Sequence, residues 1–139
     1  MTIVLIAIAL TSCPPASLLG GPELAVLFEG SAIEHGGLYD FGEVEVYLFG
    51  TRQVFNIINT GLEDLLLPSG ITVEGTDSAQ FRIVMHPAEL IPPGVLSNFI
   101  IVFEPIGDAG PRSATVSIES NVEYLVTAFT FTITGICIT

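Results

Sequence analysis

The chain has 139 residues, half of them hydrophobic and only 13% charged, which is ample apolar surface for one folded domain and too little polarity for a disordered one. Fifteen carboxylates stand against three cations, Arg52, Arg82 and Arg112, for a net charge of -12. That balance excludes nucleic acid and anionic membrane surfaces as electrostatic partners, and the lack of lysine excludes Schiff-base chemistry and lysine-based isopeptide staples.

Residues 1–12 (MTIVLIAIALTS) are uncharged and almost wholly apolar, but shorter than the roughly 20 residues a membrane-spanning helix needs. Leu10-Thr11-Ser12-Cys13 resembles a bacterial lipobox, which implies that Cys13 becomes a lipidated first residue after signal cleavage. The run has the length of a signal h-region, yet no Lys or Arg precedes it. Ile3, Val4, Ile6 and Ile8 also suit a β-strand, one that adds to this domain or to a neighbouring copy's open sheet edge. Pro14-Pro15 can neither continue a helix nor donate ladder hydrogen bonds, so residues 1–21 are assigned as an N-terminal segment with a Pro-rich linker and residues 22–139 as the domain. Two states of the cysteines follow: a lipidated Cys13 with Cys137 as a buried free thiol, or a disulfide joining Cys13 to Cys137 in an oxidising compartment.

Beyond Pro22 the sequence is a series of short β-type runs separated by Gly, Pro, Asn and Asp. They are Glu23 to Phe28, Ala32-Ile33, Tyr39 to Phe41, Val44 to Leu48 and Gln53 to Ile58, the last ending at Asn59-Thr60-Gly61, which offers a left-handed position. Leu65 to Leu67, Ile71 to Val73 and Phe81 to Met85 follow, and Pro92-Pro93-Gly94 turns the chain into Asn98 to Phe103. Ala114 to Ile118 and Phe129 to Thr134 alternate cleanly, with Phe129, Phe131 and Ile133 on one face and threonines on the other. Phe41, Phe55, Phe81, Phe103 and Phe131 are the natural core candidates. These strands predict an all-β, immunoglobulin-like, two-sheet antiparallel sandwich of about seven to nine strands.

Several pieces occur in a familiar order: Asp40-Phe41-Gly42-x-Val44, Phe55-Asn56-Ile57-x-Asn59-Thr60-Gly61, Leu65-x-Leu67, Gly75 and Phe81. Ile91-Pro92-Pro93-Gly94, Val102-Phe103-Glu104-Pro105, Gly110-x-Arg112-Ser113-Ala114-Thr115-Val116 and Phe131-x-Ile133-Thr134-Gly135 continue it. Over residues 22–136 the chain resembles the bacterial choice-of-anchor D repeat, related to the ASH (abnormal spindle and hydin) branch of immunoglobulin-like domains. The resemblance implies a structural spacer or interaction module of a secreted, often anchored, bacterial surface protein, with no enzymatic activity.

The residues themselves offer little chemistry. Asp40-Phe41-Gly42 spells the magnesium motif of kinases without the strand lysine that a kinase needs. His35 and His86 fall in loops, and Glu34-His35 lacks the further ligands of a metal site. Neither the cysteines nor acidic pairs such as Glu63-Asp64 have metal-site spacing, and no Gly-x-Ser-x-Gly elbow is present. The expectation is a non-enzymatic module with no cofactor and no metal, outside the cell or on the bacterial surface, as an outer-membrane lipoprotein if Cys13 is lipidated. Its partner would be a protein, including neighbouring copies reached by strand addition through Met1 to Leu10, and the membrane only through an anchor at Cys13. The alternative is an accessory lipoprotein holding a glycan or a calcium-assisted ligand, which the absence of tryptophan and the scattered Tyr39, Tyr47 and Tyr124 do not favour.

Overall fold

The computed structural model describes residues 20–123, 125 and 128–139, so the N-terminal apolar segment and Cys13 lie outside the described residues. The strands are β1 (Leu24–Phe28), β2 (Ser31–Ile33), β3 (Leu38–Glu45), β4 (Thr51–Asn59), β5 (Leu65–Leu66), β6 (Ile71–Glu74), β7 (Phe81–Met85), β8 (Leu90–Ile91), β9 (Leu96–Phe103), β10 (Gly110–Ile118) and β11 (Phe129–Ile138). Sheet A has the order β2-β1-β4-β9-β7, sheet B the order β3-β11-β10-β6, and β5 with β8 makes a small ribbon. The two sheets pack as a sandwich of nine strands.

One pairing departs from the antiparallel expectation: β3 runs parallel to β11. Gly36 N–H donates to the Thr130 carbonyl and Thr132 N–H to the Gly37 carbonyl, which clips the crossover from sheet A to the start of β11. Both strands leave that clip in the same direction. β3 is also a single bulged strand where the sequence suggested two. Its register against β11 gains one residue between Asp40 and Glu43, and Gly42 takes the positive φ of 82° that the bulge requires. Asp40 Oδ1 accepts the Gly42 N–H at 3.0 Å and the Thr134 hydroxyl at 3.1 Å. The Asp-Phe-Gly motif is thus a bulge, with Phe41 turned into the core. The run Val44 to Leu48 does not continue as strand. The chain turns at Tyr47, whose φ is 60°, and leaves Tyr47, Leu48 and Phe49 exposed.

Phe41, Phe55, Phe81, Phe103 and Phe131 are all buried. Phe55 is the hub. Its ring stacks on Phe99 at 5.1 Å and meets Phe28, Tyr39, Phe41 and Phe131 at 5.6, 5.1, 6.4 and 5.9 Å. Phe81 stacks on Phe103 at 4.6 Å, and Gly135 of β11 lies against the Phe103 ring so closely that a Cβ there would overlap it. Gly135→Ala is therefore expected to destabilise the domain by about 1–3 kcal/mol through overpacking, measurable as a lowered urea midpoint at unchanged slope.

Asn59 closes one end of the sandwich, and its role differs from the left-handed turn that the sequence suggested. None of Asn59, Thr60 and Gly61 takes a positive φ. Asn59 is instead the one polar residue in the core among the described residues. Its Nδ2 donates to the Glu63 carbonyl at 2.7 Å and the Ile91 carbonyl at 2.9 Å, and its Oδ1 accepts from Gly61 N–H at 2.9 Å and Glu23 N–H at 3.3 Å. Its backbone pairs with Val95 and Gly94. One amide thus ties the entry to β1, the β4–β5 turn, the β5–β8 ribbon and the Pro-Pro-Gly turn, with every polar atom satisfied.

Candidate docking face

The strand registers fix which side chains share the outer face of sheet A. Arg52, Val102 and Arg82 form one row, and Val54, Ile100 and Met85 the next. Leu27, Asn56 and Asn98 form a third, with Ala32 at its edge, and Ala25, Ile58 and Leu96 a fourth. Apart from the asparagine pair and the arginine row, this solvent side is aliphatic. Val54, Met85 and Leu96 are 44, 40 and 52% exposed. An antiparallel sheet with one face on a core ordinarily turns polar residues to the other. Sheet A does not. None of its five strands contains an aspartate or glutamate, in a chain that holds fifteen. Asn56 donates its side-chain N–H to the Asn98 carbonyl oxygen across β4 and β9, which satisfies half of each amide within the sheet.

The outer face of sheet B is the opposite in chemistry. Ser113, Thr115 and Ser117 of β10 oppose Thr134, Thr132 and Thr130 of β11, with Thr72 and Glu74 of β6 on one side and Asp40 of β3 on the other. A cleft of about 370 Å³ opens here beside Asp40, Asp77, Arg112 and Ser113. Asp77 and Arg112 are both engaged within the protein. Asp77 Oδ2 accepts the Ser113 N–H at 2.9 Å, and the Arg112 guanidinium donates to Gln80 Oε1 and to the carbonyls of Ile106, Asp108, Gly110 and Pro111. Arg112 thus pins the β9–β10 loop and is not free to hold a ligand in the cleft.

Cys137 is fully buried on β11, facing the interior; Cys13 lies outside the described residues, as does Tyr124. His35 Nδ1 accepts the Thr130 N–H at 3.1 Å and His86 Nδ1 accepts the Ile71 N–H at 3.4 Å, so each histidine supports a strand start. Among the described residues no three acidic, histidine or cysteine side chains converge as metal ligands would. The structure brings none of the singled-out residues into a common site. Sequence reasoning missed the face that stands out, although its signal was present: Asn98 to Phe103 is a nearly unbroken apolar run, the pattern of a strand covered on both sides.

At the arginine end of the face, Arg82 Nε and Nη2 donate to the two carboxylate oxygens of Glu104 at 3.0 and 3.3 Å. The hydrogen bond and charge of Arg82 hold the Glu104 carboxyl below the ordinary glutamate range, with Arg52 adding a smaller pull. Glu23 is raised above that range by burial, against the hydrogen bond from Thr60. The linkage signs are opposite. Glu104 contributes stability above its unfolded pKa that is lost as pH falls through its folded value; Glu23 contributes below its unfolded pKa and loses that as pH rises through its folded value. Carboxyl-detected NMR titration is expected to find Glu104 the lower and Glu23 the higher of the two, and a reversed order would contradict both environments.

No protein-family model matches the chain, and no curated protein does so in sequence. Solved structures do match in shape. A protein of unknown function from Porphyromonas gingivalis W83 superposes with a TM-score of 0.61 at 18% identity, covering 90% of this chain and 51% of that one, so this chain spans about half its length. The ASH/PapD-like domain 7 of human CEP192 superposes with a TM-score of 0.56 at 16% identity, covering 92% of this chain and 90% of the domain. Identities this low carry the fold alone, and what they carry is definite: the chain has the immunoglobulin-like β-sandwich fold of ASH/PapD-like domains.

Proposed function

We propose that this domain is a non-enzymatic interaction module of a bacterial surface protein, held outside the cytoplasm by lipid attached at Cys13, and that it engages a protein partner through the outer face of sheet A. The contrast between the two outer faces carries this reading. On a chain of net charge -12, one sheet turns hydroxyls and carboxylates to solvent and the other turns aliphatic side chains outward. Contiguous exposed apolar surface of this kind marks an interaction site. The same contrast argues against catalysis, because the docking face offers no nucleophile, general base or metal ligand, and the polar cleft opposite has Asp77 and Arg112 bound internally.

Two measurements test the two parts. Intact mass of the native protein is expected to give a chain beginning at a diacylated or triacylated Cys13; a retained Met1 would withdraw the anchor. A photo-crosslinking amino acid placed at Val54 in the producing cell is expected to capture a protein, whereas the same group at Thr72, on the outer face of sheet B, captures none. Equal capture at both positions, or none at Val54, would withdraw the docking face.

A further inference from the structure

Resting on the docking-face reading, we infer that the occupant of the outer face of sheet A is the same face of a second copy of this chain, so that the domain forms a two-fold dimer, sheet on sheet. Three features of the face point to it. The first is charge. Two chains of -12 repel wherever their carboxylates meet, and the outer face of sheet A is where none of the sheet's strands brings one. Two of the three cations, Arg52 and Arg82, lie on it; of the carboxylates at its ends, Glu104 is paired with Arg82, and Glu23, one row past Ala25 and Ile58, is hydrogen-bonded by Thr60. Copies of an acidic chain can meet over its middle rows without bringing their carboxylates together.

The second is size. Strands spaced about 4.8 Å apart and rising about 3.3 Å per residue give β1, β4, β9 and β7, with the β2 edge, a face of roughly 480 Å² before side-chain relief is added. With the relief of its side chains the face comes within the range of the smaller stable interfaces, roughly 600 Å² per partner. A single extended segment, such as residues 1–12 folding back, covers one strand's width and would leave most of the face wet. A second sheet, packed about 10 Å away with interdigitating side chains, covers all of it.

The third is self-complementarity. The Asn56–Asn98 bond uses one amino group and one carbonyl. Whichever way the amides are turned, one donor and one acceptor remain, at the middle of an otherwise aliphatic surface. A two-fold axis that lies between the sheets over that point and runs parallel to the strands sets each leftover donor against its partner's leftover acceptor. Such an isologous contact satisfies both amides and fixes the register of the two sheets.

Sedimentation equilibrium of the native mature protein from about 1 µM to 1 mM tests the dimer. A mass of two chains at the upper end is expected, with the double variant Val54→Glu and Leu96→Glu weakening association at least roughly 100-fold and Thr72→Glu leaving it unchanged. Both substituted apolar positions are solvent-exposed, so far-UV circular dichroism of the double variant should match the parent. Should it fail to fold, the purified protein carrying a photo-crosslinker at Val54 decides instead: crosslinks into the β4 or β9 peptide at dimer mass support the inference. A monomer throughout the concentration range, a dimer indifferent to the double variant, or crosslinks from Val54 only to residues 1–22 at monomer mass would each overturn it. Capture of a different protein at Val54 in the cell, with a monomeric purified chain, would also overturn it while leaving the docking face standing.

Discussion

Phe55→Ala is expected to lower the unfolding free energy by about 3–5 kcal/mol, a large part of the roughly 5–15 kcal/mol available to a domain of this size. The ring is fully buried and touches aromatic side chains from β1, β3, β9 and β11, so its removal leaves a cavity that both sheets would have to close. Two stacked and packed layers cannot collapse onto one methyl group without shifting their strands, and the lost contacts add to the lost transfer free energy. Phe49→Ala is the matched control. That ring is 95% exposed, and its removal is expected to stay within about 0.5 kcal/mol. Urea denaturation of the two variants checks both figures. A loss below about 1 kcal/mol for Phe55→Ala would mean that β4 turns its other face to the core.

Asn59→Ala is expected to cost at least about 3 kcal/mol, although it deletes only a small side chain. The substitution strands four backbone groups at once: the carbonyls of Glu63 and Ile91 and the N–H groups of Gly61 and Glu23. Each buried group left unmatched costs about 1–3 kcal/mol, and partial hydration of the loosened turn recovers part of the sum. N59D separates the amide from its shape. A carboxylate there would face two carbonyl oxygens, so the introduced acid holds its proton and its folded pKa rises above the unfolded value. Relative to the parent at the same pH, N59D should be least stable at neutral pH and recover partly in acid, below the ordinary aspartate range. Denaturation at neutral pH and again in acid, at about pH 3, reads this directly. A variant equally affected at both would show that bulk at this position matters more than its donors.

The parts of this fold that are legible in the sequence are those where one period governs. β4 and β11 alternate strictly, so their inward sets, Phe55 with Ile57 and Phe129 with Phe131 and Ile133, follow from the alternation alone. β9 has no such period because both of its faces are apolar, and Phe99 therefore escapes the core candidates although it stacks on Phe55. β3 reads as two strands because a glycine within a strand resembles a break, whereas the bulge uses the φ of Gly42 to keep one strand in register with a partner some ninety residues away. Asn59 reads as turn chemistry, since a buried amide and an exposed one are the same letter; only the four groups gathered around it separate them. The apolar outer face of sheet A is only partly legible for a related reason. The run of β9 signals it, but the rest is composed from alternate residues of β1, β4 and β7 with Ala32 of β2 at the edge, and no stretch of sequence shows that they lie side by side.

The parallel pairing of β3 with β11 also sets when the domain can form. β11, Phe129–Ile138, lies between β3 and β10 and joins β3 to the rest of sheet B. Until that strand has left the ribosome, β3 has no partner in sheet B and the inner face of sheet A has no complete layer to cover it. Contacts between such distant segments form late, because the loop they close is long. A nascent chain lacking β11 holds all five strands of sheet A but only the β10–β6 pair of sheet B, so the core closes only when the whole domain is present. On the proposed route out of the cytoplasm, that delay keeps the polypeptide loose enough to be threaded through a channel, and leaves its apolar strands in need of a chaperone until the last one arrives.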